Sequence, residues 1–325
     1  MRNEELQGIC TRIIDEVATV FVTDNREQLK KILCGMIAGG HILFEDNPGL
    51  GKTLLVKVFA KVTGCAWKRI QFTPDLMPAD IVGTKVWKGM NSAFELEKGP
   101  IFTNFLLADE INRAMPKTQS ALLEAMEEQQ VTIEGNTYVL GAPFIVMATQ
   151  NPIEMEGTYA LPEAQMDRFT MKLSLGYLGD AEKECEILRR RISWKKDDPV
   201  QEEVTCIISQ KELVQLQQEA ESIYVDENIL EYIVKIIRAT RKDPRIRIGA
   251  SPRGGLAILK LTRALALING RDFVIPDDVK AIASDALSHR ILLQIEYLVD
   301  GIKPVSVIKS IVNTIEVPKN YTRNR

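Results

Sequence analysis

The residues with the most chemical content begin at 46–53, DNPGLGKT, which separate the apolar run HILFE from the helix-like TLLVKVFAKV. A strand, a Gly-rich loop and a helix in that order make a phosphate cradle. Gly49 and Gly51 let backbone N–H groups turn toward an anion, and the positive end of the helix beginning near Thr53 points at the same place. Lys52 would reach the β- and γ-phosphates and Thr53 would put its hydroxyl on Mg²⁺, with Asn47, Pro48, Leu50 and Leu54 completing the nucleotide-binding segment. Asp46 stands where the pattern GxxxxGK(S/T) has its first glycine. Its carboxylate must therefore face away from the phosphates it would repel. Taken alone, the same stretch also reads as a Gly/Pro turn capping a core helix.

A second group follows at FLLADE, an apolar strand ending in Asp109-Glu110. Open α/β sheets bind ligands at the carboxyl ends of their strands. There Asp109 would hold Mg²⁺ and Glu110 would polarise an attacking water. The next apolar strand, FIVMAT, runs into Gln150-Asn151-Pro152, so the Asn151 amide emerges at the same edge, although Asn before Pro is also a common turn. Arg168, in LPEAQMDRF, precedes the last strand; by spacing alone it is equally a structural arginine. Arg253 lies in GASPRGG, where Ser251 reads as a helix N-cap, Pro252 as the first helical residue and Arg253 as the second. A cation there opposes the helix dipole unless an anion sits beside it. That makes Arg253 a candidate phosphate sensor.

These residues need a parallel sheet with crossover helices to bring them together. Residues 26–38 carry Leu29, Ile32, Leu33, Met36 and Ile37 at helical spacing, stopped by Gly39-Gly40. Buried strands are expected at HILFE, 105–108, 144–149 and 169–173. Segments 83–99 and 131–141 read as hairpins, the second with Val131 and Ile133 answering Tyr138 and Leu140 across EGNT. A charged stretch at 180–200 around Trp194 marks a boundary, dividing 1–190 from 191–325, and reads as a solvated helix face and linker. Beyond 205 the pattern is helical throughout, with apolar stripes over 228–240, 255–268 and 277–291.

The chain has 325 residues, enough for about two domains at roughly 150 residues each. Its 41 basic and 44 acidic residues leave a formal charge of -3, and 6% aromatics offer little for base stacking. Nucleic acid is therefore an unfavoured partner. No run is long and apolar enough to span a membrane and the start carries no secretion segment, so a cytoplasmic location is expected. Five cysteines without a CxxC pair suit buried thiols in a reducing compartment. With only His41 and His289, a His-rich metal centre cannot be built.

Four ordered segments, AGGHILFEDNPGLGKT, LLADEINRAMPKTQSALLEAMEE, FIVMATQNPIEMEGTYALPEAQMDRF and IGASPRGG, with similar text through SDALSHRILL, resemble the MoxR family of AAA+ ATPases over most of residues 20–295. Thr23, in FVTDN, departs from the family, which usually has glycine there in the adenine-side segment near Val22. The resemblance implies an α/β fold: a P-loop αβα parallel-sheet core with strand order 5-1-4-3-2, then a small all-α lid, with ATP at their junction. It implies a homo-oligomeric ring, commonly hexameric. Lys52, Thr53 and Asp109 would then hold ATP and Mg²⁺, Glu110 would be the catalytic carboxylate and Asn151 the first sensor. Arg168 would be an arginine finger acting on a neighbour, and Arg253 the second sensor, reaching the triphosphate of its own chain from the lid. Segments 70–98 and 131–141 match the family's helix-2 and pre-sensor insertions. By analogy, partners are von Willebrand factor A domain proteins and client complexes that the ATPase remodels or matures. The alternatives are a nucleic-acid motor or loader, and a nucleotide-gated scaffold with little turnover.

Overall fold

The computed structural model describes residues 2–88, 93–151, 157–195 and 198–319. The tip of the first expected hairpin, Pro152 with the rest of 152–156, part of the charged stretch at 196–197 and the tail 320–325 lie outside the described residues. Five parallel strands form the central sheet: β1 (Ile42–Glu45), β2 (Trp67–Gln71), β3 (Phe105–Asp109), β4 (Ile145–Gln150) and β5 (Met171–Leu173). Their spatial order is β2-β3-β4-β1-β5. From the other edge this is the expected 5-1-4-3-2. Side chains alternate between two apolar layers: Ile42, Phe44, Phe105, Leu107, Ile145 and Met147 face one, and Leu43, Leu106, Ala108, Val146 and Ala148 face the other. Near-continuous apolar strands are what a sheet covered on both faces requires.

Strand β2 is missing from the sequence expectations. Its WKRIQ buries only Ile70, because an edge strand needs no apolar run.

The first layer also takes in the N-terminal helix Arg2–Val20 through Cys10, Ile13 and Val17, and helix Arg26–Ile37 through Leu29, Ile32 and Leu33. It continues without a break into the helical domain, which comprises Gln210–Glu221, Glu227–Thr240, Pro252–Ile268, Pro276–Leu287 and Pro304–Thr314. Ser209 opens that domain with a reciprocal cap, its hydroxyl accepting from Glu212 N–H while the Glu212 carboxylate accepts from Ser209 N–H. The domain is not helical throughout: Ile246–Ile248 pairs antiparallel with Leu292–Leu293. Helix Ala181–Trp194 buries none of its residues, as the charged stretch suggested.

Both hairpins form. In the first, Gly83–Lys88 pairs with Ala93–Lys98. Its neck needs glycine twice, since a Cβ on Gly83 would come within 2.2 Å of Glu97 O, and one on Gly99 within 2.2 Å of Ile81 O. In the second, Val131 faces Tyr138 and Ile133 faces Asn136, a register two residues tighter than an EGNT turn gives, which would set Ile133 against Tyr138 and Val131 against Leu140. The turn is tighter than EGNT, with Glu134 and Gly135 both at positive φ (47° and 78°) as a two-residue hairpin loop requires.

Cys10, Cys34 and Cys65 are buried thiols, whereas Cys185 and Cys206 are exposed; all five are free. His41 is buried between strands and helix: Val146 N–H donates to its Nδ1 and its Nε2–H donates to Met126 O, both at 3.0 Å. Burial pushes this imidazole down to about 4, against the raising effect of the Met126 carbonyl. The unfolded chain takes the proton near 6.5. Between those values the unfolded state binds more protons, so stability rises with pH. In denaturant titrations, the wild-type unfolding free energy should fall relative to His41→Gln by up to about 1.4 kcal/mol per pH unit as pH drops from 6.5 toward 4. Parallel curves for the two proteins would remove His41 from the acid response.

Candidate functional site

The loop after β1 wraps the amino end of helix Lys52–Val62, with Gly49 and Gly51 at φ 84° and 75°. A Cβ on Gly49 would meet nothing within 4 Å, so backbone conformation rather than crowding calls for glycine there. Asp46 lines the cavity over the loop with its carboxylate tied down. Its carboxylate accepts from Ser174 Oγ–H (2.6 Å), Leu175 N–H (2.8 Å) and Gly176 N–H (3.2 Å), tying the loop to the segment after β5. The carboxylate that breaks the glycine pattern is thus an anchor. The Lys52 ammonium donates to Asp46 O (2.9 Å) and Asn47 O (3.3 Å) within the loop. Burial lowers Lys52 from the ordinary lysine range, while Asp46, Asp109 and Glu110 pull it back up.

A cavity of 290 Å³ opens over this loop at the carboxyl edge of the sheet. Lys52, Thr53, Asp109, Glu110 and Asn151 all line it, so the strand ends converge as expected. At the end of β3 the two carboxylates part. Glu110 adopts φ 56°, an uncommon conformation for a residue with a side chain. Thr149 on β4 holds that turn: its Oγ1 accepts from Glu110 N–H (2.8 Å) and donates to Asp109 Oδ1 (2.6 Å). Asp109 Oδ2 then receives Arg69 Nε (3.1 Å) and Nη2 (2.7 Å) from β2. Glu110 Oε2 receives Gln71 Nε2 (2.6 Å) from the same strand and pairs with Arg113 Nε (3.2 Å).

Arg69, Gln71 and Thr149 line the cavity and were missed by sequence reasoning. The first two sit on the strand that the apolar pattern did not reveal.

A larger apolar cavity of 610 Å³ adjoins on the other side of the loop and shares Pro48, Gly49, Leu50 and Gly51 with the first. Leu54, Val22 and Thr23 line it, as do Tyr177, Leu188 and Trp194, which no motif marked. Asn47 lines neither cavity; its amide donates to Tyr177 Oη at 3.0 Å. A polar cavity meeting a wider apolar one across a Gly loop suits a phosphate chain with a planar base.

The two arginines do not join this group. Thr170 N–H donates to His41 O (2.8 Å), which sets Arg168 level with the amino end of β1. Asp46 lies five residues further along that strand, about 16 Å at the usual rise. Arg168 Nε pairs with Glu127 Oε2 at 3.0 Å, and Arg253 Nη2 pairs with the other oxygen of the same carboxylate. The capping geometry of Arg253 is as expected, with Ser251 Oγ accepting from Arg253 N–H at 3.1 Å. The structure does not bring this arginine to the loop of its own chain. It lines neither cavity at the loop and shares a cleft with Arg168 at the opposite edge of the sheet.

Residues 41–171 match the family model described as "ATPase family associated with various cellular activities (AAA)", and residues 238–311 match an AAA lid domain. Among known proteins, the chain is 44% identical to the uncharacterized protein YeaC of Bacillus subtilis over 97% of each chain. It is 43% identical to the chaperone MoxR1 of Mycobacterium tuberculosis, covering 95% of this chain and 82% of that one. The crystal structure of a candidate ATPase from Cytophaga hutchinsonii superposes with a TM-score of 0.89 at 41% identity, over 98% of this chain and 97% of the other. No helix among the described residues is long and apolar enough to cross a membrane. With the P-loop, the paired carboxylates, the 5-1-4-3-2 sheet and the lid all in place, these likenesses show that the chain belongs to the MoxR family of AAA+ ATPases.

Proposed function

We propose that the protein hydrolyses ATP to ADP and phosphate with Mg²⁺, as one subunit of a homo-oligomeric ring, and uses the cycle to remodel protein partners. The observation that carries this reading is the division of the chemistry between two edges of one sheet. The loop, Lys52, Thr53, Asp109, Glu110 and Asn151 share the carboxyl edge, while Arg168 and Arg253 share the amino edge. Within one chain these halves lie apart. A head-to-tail ring of identical subunits brings the amino edge of one against the carboxyl edge of the next.

The residues fit a metal nucleotide. Thr53 and Asp109 offer oxygen donors beside the loop amides, and the Asp46 carboxylate is already taken by Ser174, Leu175 and Gly176. Mg²⁺ prefers one or two carboxylates plus phosphate oxygens to a dedicated protein cage, and bound there it would neutralise charge on the β- and γ-phosphates. Lys52 has two loop carbonyls to exchange for phosphate oxygens. With a metal bound, Asp109 would be one of its ligands and Arg69 would keep Gln71 as a partner, at 2.7 Å. Glu110 leaves Gln71 to accept hydrogen bonds from a water, which Asn151 orients. Arg168 and Arg253 meet the neighbour's γ-phosphate, and its loss on hydrolysis removes their shared anion, which shifts the subunit interface.

We take the core as 1–190 and the lid as 191–325. A cytoplasmic location, a hexameric ring and a von Willebrand factor A domain partner with its client complex follow by family analogy, and the name of the relative MoxR1 as a chaperone supports the last. Lys52→Ala should abolish saturable ATP binding, raising Kd by about 100-fold or more, since two or more charge-assisted hydrogen bonds at ~1.5 kcal/mol each are lost. Wild-type turnover per subunit should rise with protein concentration. Wild-type affinity in Lys52→Ala, measured by calorimetry, would overturn the site.

A further inference from the structure

Beside the arginine pair stands a buried guanidinium that no motif explains. Arg290, at the end of helix Pro276–Leu287, is 3% exposed at its side chain. Its Nε donates to Asp167 Oδ1 (2.6 Å), Nη2 to Asp167 O (2.9 Å) and Phe169 O (2.7 Å), and Nη1 to Thr170 O (3.1 Å) and to Ala286 O. All three carbonyls of the Asp167–Thr170 segment that it binds flank Arg168. Asp167 is the other half of the joint: its Oδ2 accepts from Ser251 Oγ–H at 2.8 Å. Ser251 in turn caps the helix that carries Arg253. Glu127 then spans the two guanidinium tips. Arg168 and Arg253 are thereby linked twice, once at their roots through Asp167 and once at their heads through Glu127.

We infer that Asp167, Ser251 and Arg290 form a positioning joint that holds Arg168 and Arg253 in one register, so that core and helical domain present them to a neighbouring subunit as a single anion receptor. The inference rests on the reading that these arginines act on the neighbour. The physical reason is the fork of Arg290, which satisfies the Asp167 carboxylate and three segment carbonyls at once. A lysine has the charge but neither the planar fork nor the reach to four acceptors. The joint lies at the amino edge of the sheet, away from the nucleotide loop, so it governs what is offered to a neighbour and leaves binding in its own chain untouched.

The test uses full-length Arg290→Lys. Its ATP affinity, measured in dilute subunits, should stay within about twofold of wild type, while turnover under assembling conditions falls by about tenfold or more. Mixing it 1:1 with Glu110→Gln separates positioning from general damage. Glu110→Gln subunits keep a sound joint and lend their arginines to the sound loops of Arg290→Lys. Random mixing should restore about one quarter of the wild-type rate per subunit, because one interface in four then pairs a working loop with working arginines. Ser251→Ala, which removes one root contact, should show a smaller loss with the same rescue, and it decides the matter if Arg290→Lys does not fold. Wild-type turnover in both variants beside a dead Arg168→Ala overturns the joint, and so does a loss that mixing does not restore. Full concentration-dependent turnover in Arg168→Ala would overturn the reading beneath the inference, and the inference with it.

Discussion

In Glu110→Gln, steady-state phosphate release is expected to fall by about 10²–10⁴-fold, the usual worth of a positioned general base, with ATP affinity nearly unchanged. Glutamine has the shape of glutamate, so the turn at φ 56° survives, and so does the contact with Gln71, whose Nε2–H donates to the new amide's oxygen. What is lost is an oxygen that can take negative charge and draw a proton from water. The affinity groups lie elsewhere, on Lys52, Thr53 and the loop amides. The two readouts therefore separate: calorimetry should report binding close to wild type while a phosphate-release assay reports almost nothing. Equal turnover in the two proteins would move the catalytic role to another carboxylate.

Arg168→Ala should lose assembly-dependent turnover by about 10³–10⁵-fold, the range of an arginine finger acting across an interface. In dilute subunits its ATP affinity should match wild type, because Arg168 lies roughly 16 Å from the level of the loop of its own chain. The variant also leaves Glu127 paired with Arg253 alone, which favours a stable fold at this partly exposed site. The decisive measurement is rate per subunit against protein concentration. Wild type should climb as subunits associate and Arg168→Ala should stay flat. A wild-type rate with no dependence on concentration would sink the trans arrangement for both arginines.

Particular elements explain how much of this was legible beforehand. Strands β1, β3 and β4 announce themselves by apolar runs because burial on both faces demands them, the edge strand β5 by Met171 and Leu173 alternating about the half-buried Lys172, and the helices by period and caps, down to Ser251. Edge strand β2 carries Lys68 and Arg69 on an exposed surface and has no such pattern. With it went Arg69 and Gln71, the two residues that hold the Asp109 and Glu110 carboxylates. The apolar cavity was hidden for a related reason: Leu188 and Trp194 belong to a helix that buries none of its residues, and their use depends on where that helix lies against the loop.

Chain order alone determined the Gly-rich loop, the carboxylate pair and the apolar strands and capped helices around them, since each of these is a local matter: a few consecutive residues set a turn, a strand end or a helix cap. Charge repulsion likewise asks the Asp46 carboxylate to turn from an anion, and Ser174, Leu175 and Gly176 hold it. The placement of each arginine relative to that loop is different in kind. Arg253 lies 201 positions after Lys52, and nothing in that interval states which edge of the sheet the lid will cover. Only the packing of the helical domain on the Asp167–Thr170 segment decides it, because contacts between distant residues depend on how separate elements dock.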